Sequence, residues 1–139
     1  MSFLLDTNAC IALIKGRPPE VRAQMLHVIS DGSGIAVSSI AVFELWYGVI
    51  KSAYPDRNTR QLTEFLAAGV ALLPFDEEDA QAAGQVRAKM EAKGRPIGPY
   101  EVLLAGQALR HGLTLVTANV AEFARVPHLK WQDWAAPRR

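Results

Sequence analysis

The chain has 139 residues, half of them hydrophobic, which suits one folded unit with a sizeable core. Its 15 basic and 14 acidic side chains leave a formal net charge of +1, too small an excess to hold nucleic acid by bulk charge. No apolar run approaches the roughly 18 residues of a membrane span, and the opening MSFLLDTN lacks the basic region of a secretory signal, so no membrane or export role is expected.

Short apolar runs rich in Val, Ile and Leu alternate with longer stretches of helical period. Ser2 to Leu5 is predicted as a strand and Asp6 to Lys15 as a helix. Pro18 and Pro19 open a second helix to about Ser30, and the turn 31–34 leads to a strand from Ile35 to Ser38. Ile40 to about Ala53 is a helix, broken by Tyr54, Pro55 and Asp56, and another runs from about Thr59 to Ala68. Val70 to Leu73 is the third strand, and Glu77 to Lys93 is a long helix stopped by Gly94. A helix from Pro99 to His111 ends in Arg110-His111-Gly112, with basic residues in its last turn and glycine after it. Leu113 to Val116 is the fourth strand, Val120 to Phe123 a helical turn, and Leu129 to Trp131 a weak fifth strand.

This alternation implies right-handed crossovers and an α/β fold. One domain over residues 1–139 is expected, with a parallel central sheet of four to five strands and helices on both faces. Such sheets bind ligands at the carboxyl ends of their strands, near where strand order reverses. Cys10 is the only cysteine, so no internal disulfide forms and a reducing cytoplasm fits. Among Ala9, Ile11 and Ala12 it is a small core filler.

Four acids stand in notable places. Asp6 directly follows the first strand, where the sheet presents a ligand site, and it is equally an ordinary helix N-cap. Glu44 lies in the helix IAVFELWYGVI, apolar nearly all round and so expected to be buried nearly all round. A buried carboxylate needs a cation, and no Lys or Arg lies within one helical turn of it. Glu101 is the third residue of a helix opened by Pro99, where an acid complements the helix dipole; its neighbours Tyr100, Val102, Leu103 and Leu104 set it close to the core. Glu122 follows the fourth strand, and Asn119 and Glu122 have the spacing of a capping box. Carboxylates converging on one sheet edge repel unless a cation sits between them, and hard oxygen ligands suit Mg²⁺ or Mn²⁺. His27, His111 and His128 are scattered, so nothing points to zinc.

The segments LLDTNACIALIKG, SSIAVFELWYGV and GRPIGPYEVLLAGQALRHGLTLVTANVAEFARVPHLKWQDW together resemble the PIN-domain ribonucleases, specifically VapC toxins of bacterial toxin–antitoxin pairs. DTN alone is a weak signal; with the S-S-I, P-I-G-P-Y and L-V-T segments in that order it is strong, and it covers almost the whole chain. The resemblance implies a Mg²⁺- or Mn²⁺-dependent endoribonuclease with transfer RNA among its substrates. It also implies a homodimer and inhibition by a VapB-like antitoxin that delivers a peptide into the active-site groove.

The family's acids fall on Asp6, Glu44, Glu101 and Glu122, and its supporting polar positions on Asn8, Thr117 and Asn119. Thr7 joins these as a residue that can orient ligands. Two departures stand out. The family's usual Asp after Pro-Tyr is Glu101 here, one methylene longer, at a position where productive geometry tolerates about 0.5 Å of error. Ala118 replaces a common Asn or Arg.

Local cations must then hold the RNA, and Lys15, Arg17, Lys93 and Arg95 are the candidates at loops and helix ends. Lys51, Arg87 and Lys89 belong to solvated helix faces. A rival reading is a PIN-shaped module that keeps its antitoxin contacts while Glu101 disables chemistry. A phosphohydrolase or receiver domain would need a second acid beside Asp6, and Thr7-Asn8 supplies none. Trp46, Tyr47, Trp131 and Trp134 serve either core packing or partner contacts.

Overall fold

Residues 2–136 are described by a computed structural model in which five strands and seven helices alternate along the chain. Strands β1 (Ser2–Leu5), β2 (Gly34–Ser38), β3 (Ala71–Leu73), β4 (Thr114–Val116) and β5 (Trp131–Gln132) form one parallel sheet of order β3-β2-β1-β4-β5. From β1 the chain builds outward to β2 and β3, then crosses back to lay β4 on the other side of β1. Strand order therefore reverses between β1 and β4, the place where a parallel sheet opens a crevice for ligands. The Asp6 amide closes that seam by donating to the Val116 carbonyl at 3.0 Å.

The alternation of side chains along β1 divides the interior in two. Phe3 and Leu5 face a core with Cys10, Leu13, Val21, Leu45 and Leu62, covered by α1 (Thr7–Lys15), α2 (Pro19–Ser30), α3 (Ser39–Ile50) and α4 (Pro55–Leu66). Leu4 faces the other, with Met90, Leu104, Leu115 and Phe123, under α5 (Glu77–Ala92), α6 (Pro99–His111) and α7 (Val120–Phe123). Cys10 and Trp134 are core residues; Trp134 packs edge-on against Phe3 with centroids 5.5 Å apart.

Helices α5 and α6 cross unusually closely. A Cβ added at Gly106 would stand 2.5 Å from the backbone nitrogen and Cα of Ala83, so the crossing requires glycine. An ion network fastens the same pair of helices at the N-terminus of α5. Arg110 donates to Asp76 at 2.8 Å and to the fully buried Asp79 at 2.9 Å, and His111 lies 3.1 Å from Asp79. Acids at the start of α5 and bases at the end of α6 also complement the two helix dipoles. Gln107 ties α6 to the end of β3 through the carbonyls of Leu73 and Pro74.

Two expectations are corrected. The break read at 54–56 is instead the start of α4, because Pro55 at the first helical position gives up an N–H that has no intrahelical partner anyway. Helix α3 is not buried all round: only Ala41 and Leu45 are fully covered, while Phe43, Tyr47 and Ile50 are 55%, 56% and 74% exposed. A continuous apolar run fixes neither period nor burial, and here one stripe faces solvent. No helix among the described residues is long and apolar enough to cross a membrane.

Candidate active site

Asp6 is both the cap and the site residue. It follows β1 at the reversal point, and its Oδ1 accepts from the Ala9 amide at 2.7 Å, capping α1. It is 5% exposed. Burial pushes its carboxyl pKa above the ordinary 3.8; the Thr117 hydroxyl and the Ala9 amide pull it down, and the charges of Glu44 and Asp133 push it up again.

Glu44 is half-buried rather than enclosed, and its partner is a hydroxyl rather than a cation. Thr7 Oγ1 donates to Glu44 Oε1 at 2.6 Å, linking the first turn of α1 to the middle of α3. Thr117 is buried, and its Oγ1 accepts from the Asn119 amide at 2.9 Å, which fixes the turn after β4.

Glu101 and Glu122 meet at Gly98. The Glu122 Oε1 accepts from the Gly98 amide, and its Oε2 accepts from Asn119 Nδ2 at 2.8 Å. The expected capping box is not formed: Asn119 makes no side-chain bond to the start of α7, and its Nδ2 donates to the Glu122 carboxylate instead. The Glu101 carboxylate folds back over Gly98, where an added Cβ would come within 2.8 Å of its Cδ. Burial raises the Glu101 pKa above 4.5, and the charges of Glu122, Glu44 and Asp6 raise it further. Glu101 thus feels the charge of the other three acids of the expected set.

A fifth acid was not picked out from the sequence. Asp133 follows β5 on the same sheet edge, and its charge acts on Asp6. Its Oδ1 accepts from the Ala135 amide at 2.9 Å, an ordinary turn bond that gives no hint of its position. The usable signal was its place: an acid just past a strand, as Asp6 is. With Asn8 and Thr117 it lines a small cavity of about 200 Å³ beside the Asp6 cap, and Asn8 itself is exposed.

Lys15, Arg17, Lys93 and Arg95 are exposed, and none is in an ion pair among the described residues. Lys15 ends α1, away from Asp6, and borders an apolar groove between α1, α3 and α4 that also reaches Glu44. Lys93 and Arg95 stand in the loop that leads to Gly98, and Arg17 follows the end of α1. No hydrogen bond brings any of the four to the acids.

No three His, Cys, Asp or Glu side chains among the described residues converge closely enough to hold a metal ion as they stand. Glu44 is held by Thr7, and Glu122 by Gly98 and Asn119. The donor chemistry nevertheless fits a hard divalent cation. The set is all carboxylate oxygen, its members repel one another, and no Lys or Arg among the described residues pairs with them.

The PIN domain model matches residues 3–129. Over 134 residues the chain is 39% identical to the tRNA(fMet)-specific endonuclease VapC of Salmonella typhimurium, covering 96% of this chain and 98% of that protein. The chain belongs to the VapC family of PIN-domain ribonucleases. Ribonuclease VapC2 of Haemophilus influenzae is 35% identical over 134 residues, with 96% and 98% coverage. Among solved structures, VapBC2 from Rickettsia felis bound to a promoter DNA fragment aligns with a TM-score of 0.89 at 34% identity, covering 96% of this chain and 99% of that one. DNA-bound VapBC from Salmonella typhimurium aligns at 0.86 and 39%, covering 96% and 98%. The α/β architecture with a parallel five-stranded sheet is thus the VapC fold.

Proposed function

We propose that this chain is the toxin of a VapBC-type pair, an endoribonuclease that hydrolyses phosphodiester bonds of transfer RNA with Mg²⁺ or Mn²⁺. The observation that supports the reading is that Glu101 feels the charges of Glu122, Glu44 and Asp6, with Asp6 at the strand-order reversal and no Lys or Arg among the described residues paired with any of them. Those four carboxylates would hold the cation, with Asp6 as the principal ligand. When bound, a divalent cation supplies charge neutralisation and Lewis acidity at the phosphodiester. Thr7 and Thr117 set the orientation of Glu44 and Asp6. Glu122, anchored by Gly98 and Asn119, orders the water that attacks phosphorus in line, opposite the departing oxygen. Initiator transfer RNA is the first substrate to try, since a relative 39% identical carries that specificity in its name.

The antitoxin is a VapB-like chain. The groove between α1, α3 and α4, floored by Ile11, Ile14, Leu45, Val49 and Leu62 and open at Glu44, suits a peptide with an apolar face. A homodimer is proposed as well, for which Tyr47, Ile50 and Tyr54 offer exposed apolar surface.

One observation favours a second reading. The Glu101 carboxylate rests on Gly98, and if it stays there the chain is a module that binds antitoxin with little RNA cleavage. An assay on transfer RNA with added Mg²⁺ or Mn²⁺ decides, run on this chain, Asp6→Ala and Glu101→Asp. Activity lost in Asp6→Ala and raised in Glu101→Asp supports a weakened enzyme. Activity surviving in Asp6→Ala overturns the site, and silence in this chain and in Glu101→Asp supports the module.

A further inference from the structure

Two large, exposed aromatic side chains each directly precede one of the acids in the chain. Phe43 immediately precedes Glu44 on α3, and Tyr100 immediately precedes Glu101 on α6. Their ring centroids are 6.0 Å apart at an interplanar angle of 43°, and the residues are 55% and 39% exposed. The pair therefore spans the same two helices as two of the four carboxylates, offset by one residue on each. Core packing does not account for rings so exposed, and Tyr47, one turn along α3, already has Lys51 Nζ 5.2 Å from its ring centroid.

We propose that Phe43 and Tyr100 form a stacking platform for an unpaired nucleobase next to the bond that is cut. The inference rests on the ribonuclease reading and specifies how the substrate is held. A formal net charge of +1 and a cluster of acids give RNA little coulombic attraction to this surface. Base stacking on aromatic rings supplies affinity that does not depend on charge and tolerates any base. A duplex keeps its bases stacked inward, so the platform selects nucleotides in loops, bulges or single strands.

The test uses a short single-stranded oligoribonucleotide with one 2-aminopurine, bound to the full chain carrying Asp6→Asn so that the RNA is not cut. Quenching of 2-aminopurine on binding is expected with Phe43 and Tyr100 intact. It is expected to be lost in Phe43→Ala and Tyr100→Ala and kept in Phe43→Tyr and Tyr100→Phe. In the cleaving chain each alanine substitution is expected to raise KM roughly tenfold, with a smaller effect on kcat. Binding and quenching unchanged by both alanine substitutions would overturn the platform while leaving the ribonuclease reading intact. Failure of the unsubstituted chain to bind or cut any RNA would overturn both. Sedimentation of each variant supplies the remaining check: a dimer that becomes a monomer on Phe43→Ala assigns the pair to contact between copies, and overturns the platform.

Discussion

The hydroxyl of Thr7 donates to Glu44 Oε1 at 2.6 Å, joining residues 37 apart in sequence at the mouth of the candidate site. A hydrogen bond to a charged group is worth about 1.5–3 kcal/mol, and outer partners of this kind change metal affinity or activity about 10–100-fold. Thr7→Val keeps the shape and removes the donor. Cleavage is expected to fall about tenfold or more, with the melting temperature lowered by several degrees at most. Parallel RNA-cleavage and thermal-melt measurements check it, and an unchanged rate would remove Thr7 from the site.

Asp6 carries opposed demands, because the residue the site needs charged is one that burial penalises. Its carboxyl pKa is raised above 3.8 in the folded chain, so the folded state holds its proton more tightly than the unfolded one. The stability this contributes is complete below the unfolded pKa and is lost as pH rises through the folded pKa. Asn is as good an N-cap as Asp, so Asp6→Asn is expected to melt higher than the parent at pH 7. That advantage should vanish as the pH is taken below the unfolded pKa. Added Mg²⁺ should raise the melting temperature of the parent and not of Asp6→Asn. A parent more stable at neutral pH than Asp6→Asn, without metal, would contradict the electrostatic account.

Gly98 sits under the Glu101 carboxylate with φ −59 and ψ 156, a conformation open to any residue. Gly98→Ala places a Cβ against the far end of a flexible side chain, so Glu101 moves and the backbone does not. Stability should stay within about 0.5 kcal/mol of the parent, as for other changes clear of the core, while cleavage falls. A loss of stability without a change in rate would show that the loop, not the carboxylate, had yielded.

Arg95 stands in the loop between α5 and Gly98, free of ion pairs among the described residues. Arg95→Glu should weaken RNA binding and lower the salt slope of the binding constant by about one unit. A slope that does not move excludes that contact.

The α5–α6 crossing gives a prediction for stability alone. Gly106→Ala brings a methyl against the Ala83 backbone at 2.5 Å, and overpacking of this kind costs about 1–3 kcal/mol. Chemical denaturation measures it directly; a neutral result would mean that the helices slide apart without cost.

Much of the fold was legible because strands and helices alternate with clear punctuation: Gly112 after α6, Pro19 at the head of α2, and acids at the head of α5. Asp6 was legible from its place after β1. Glu44 was found for a partly mistaken reason, since apolar neighbours suggested burial that a solvent-facing stripe on α3 denies. Asp133 was missed because it enters the site through the pairing of β5 with β4, a contact that no local pattern announces. The bond from the Gly98 amide to Glu122 was equally invisible, as it joins residues 24 apart through a loop.

The sheet order β3-β2-β1-β4-β5 also has a consequence in time. A chain made from its amino terminus can form β1, β2 and β3 early, but β1 gains its second neighbour only when β4 has been synthesised. Asp6 is then waiting beside an empty edge, and Thr117, Glu122 and Asp133 all arrive within the last stretch of the chain. A copy that extends only past β3 carries Asp6 and Glu44 without Glu101, Glu122 or Asp133, so the set of acids is assembled only once α6, β4 and β5 have followed.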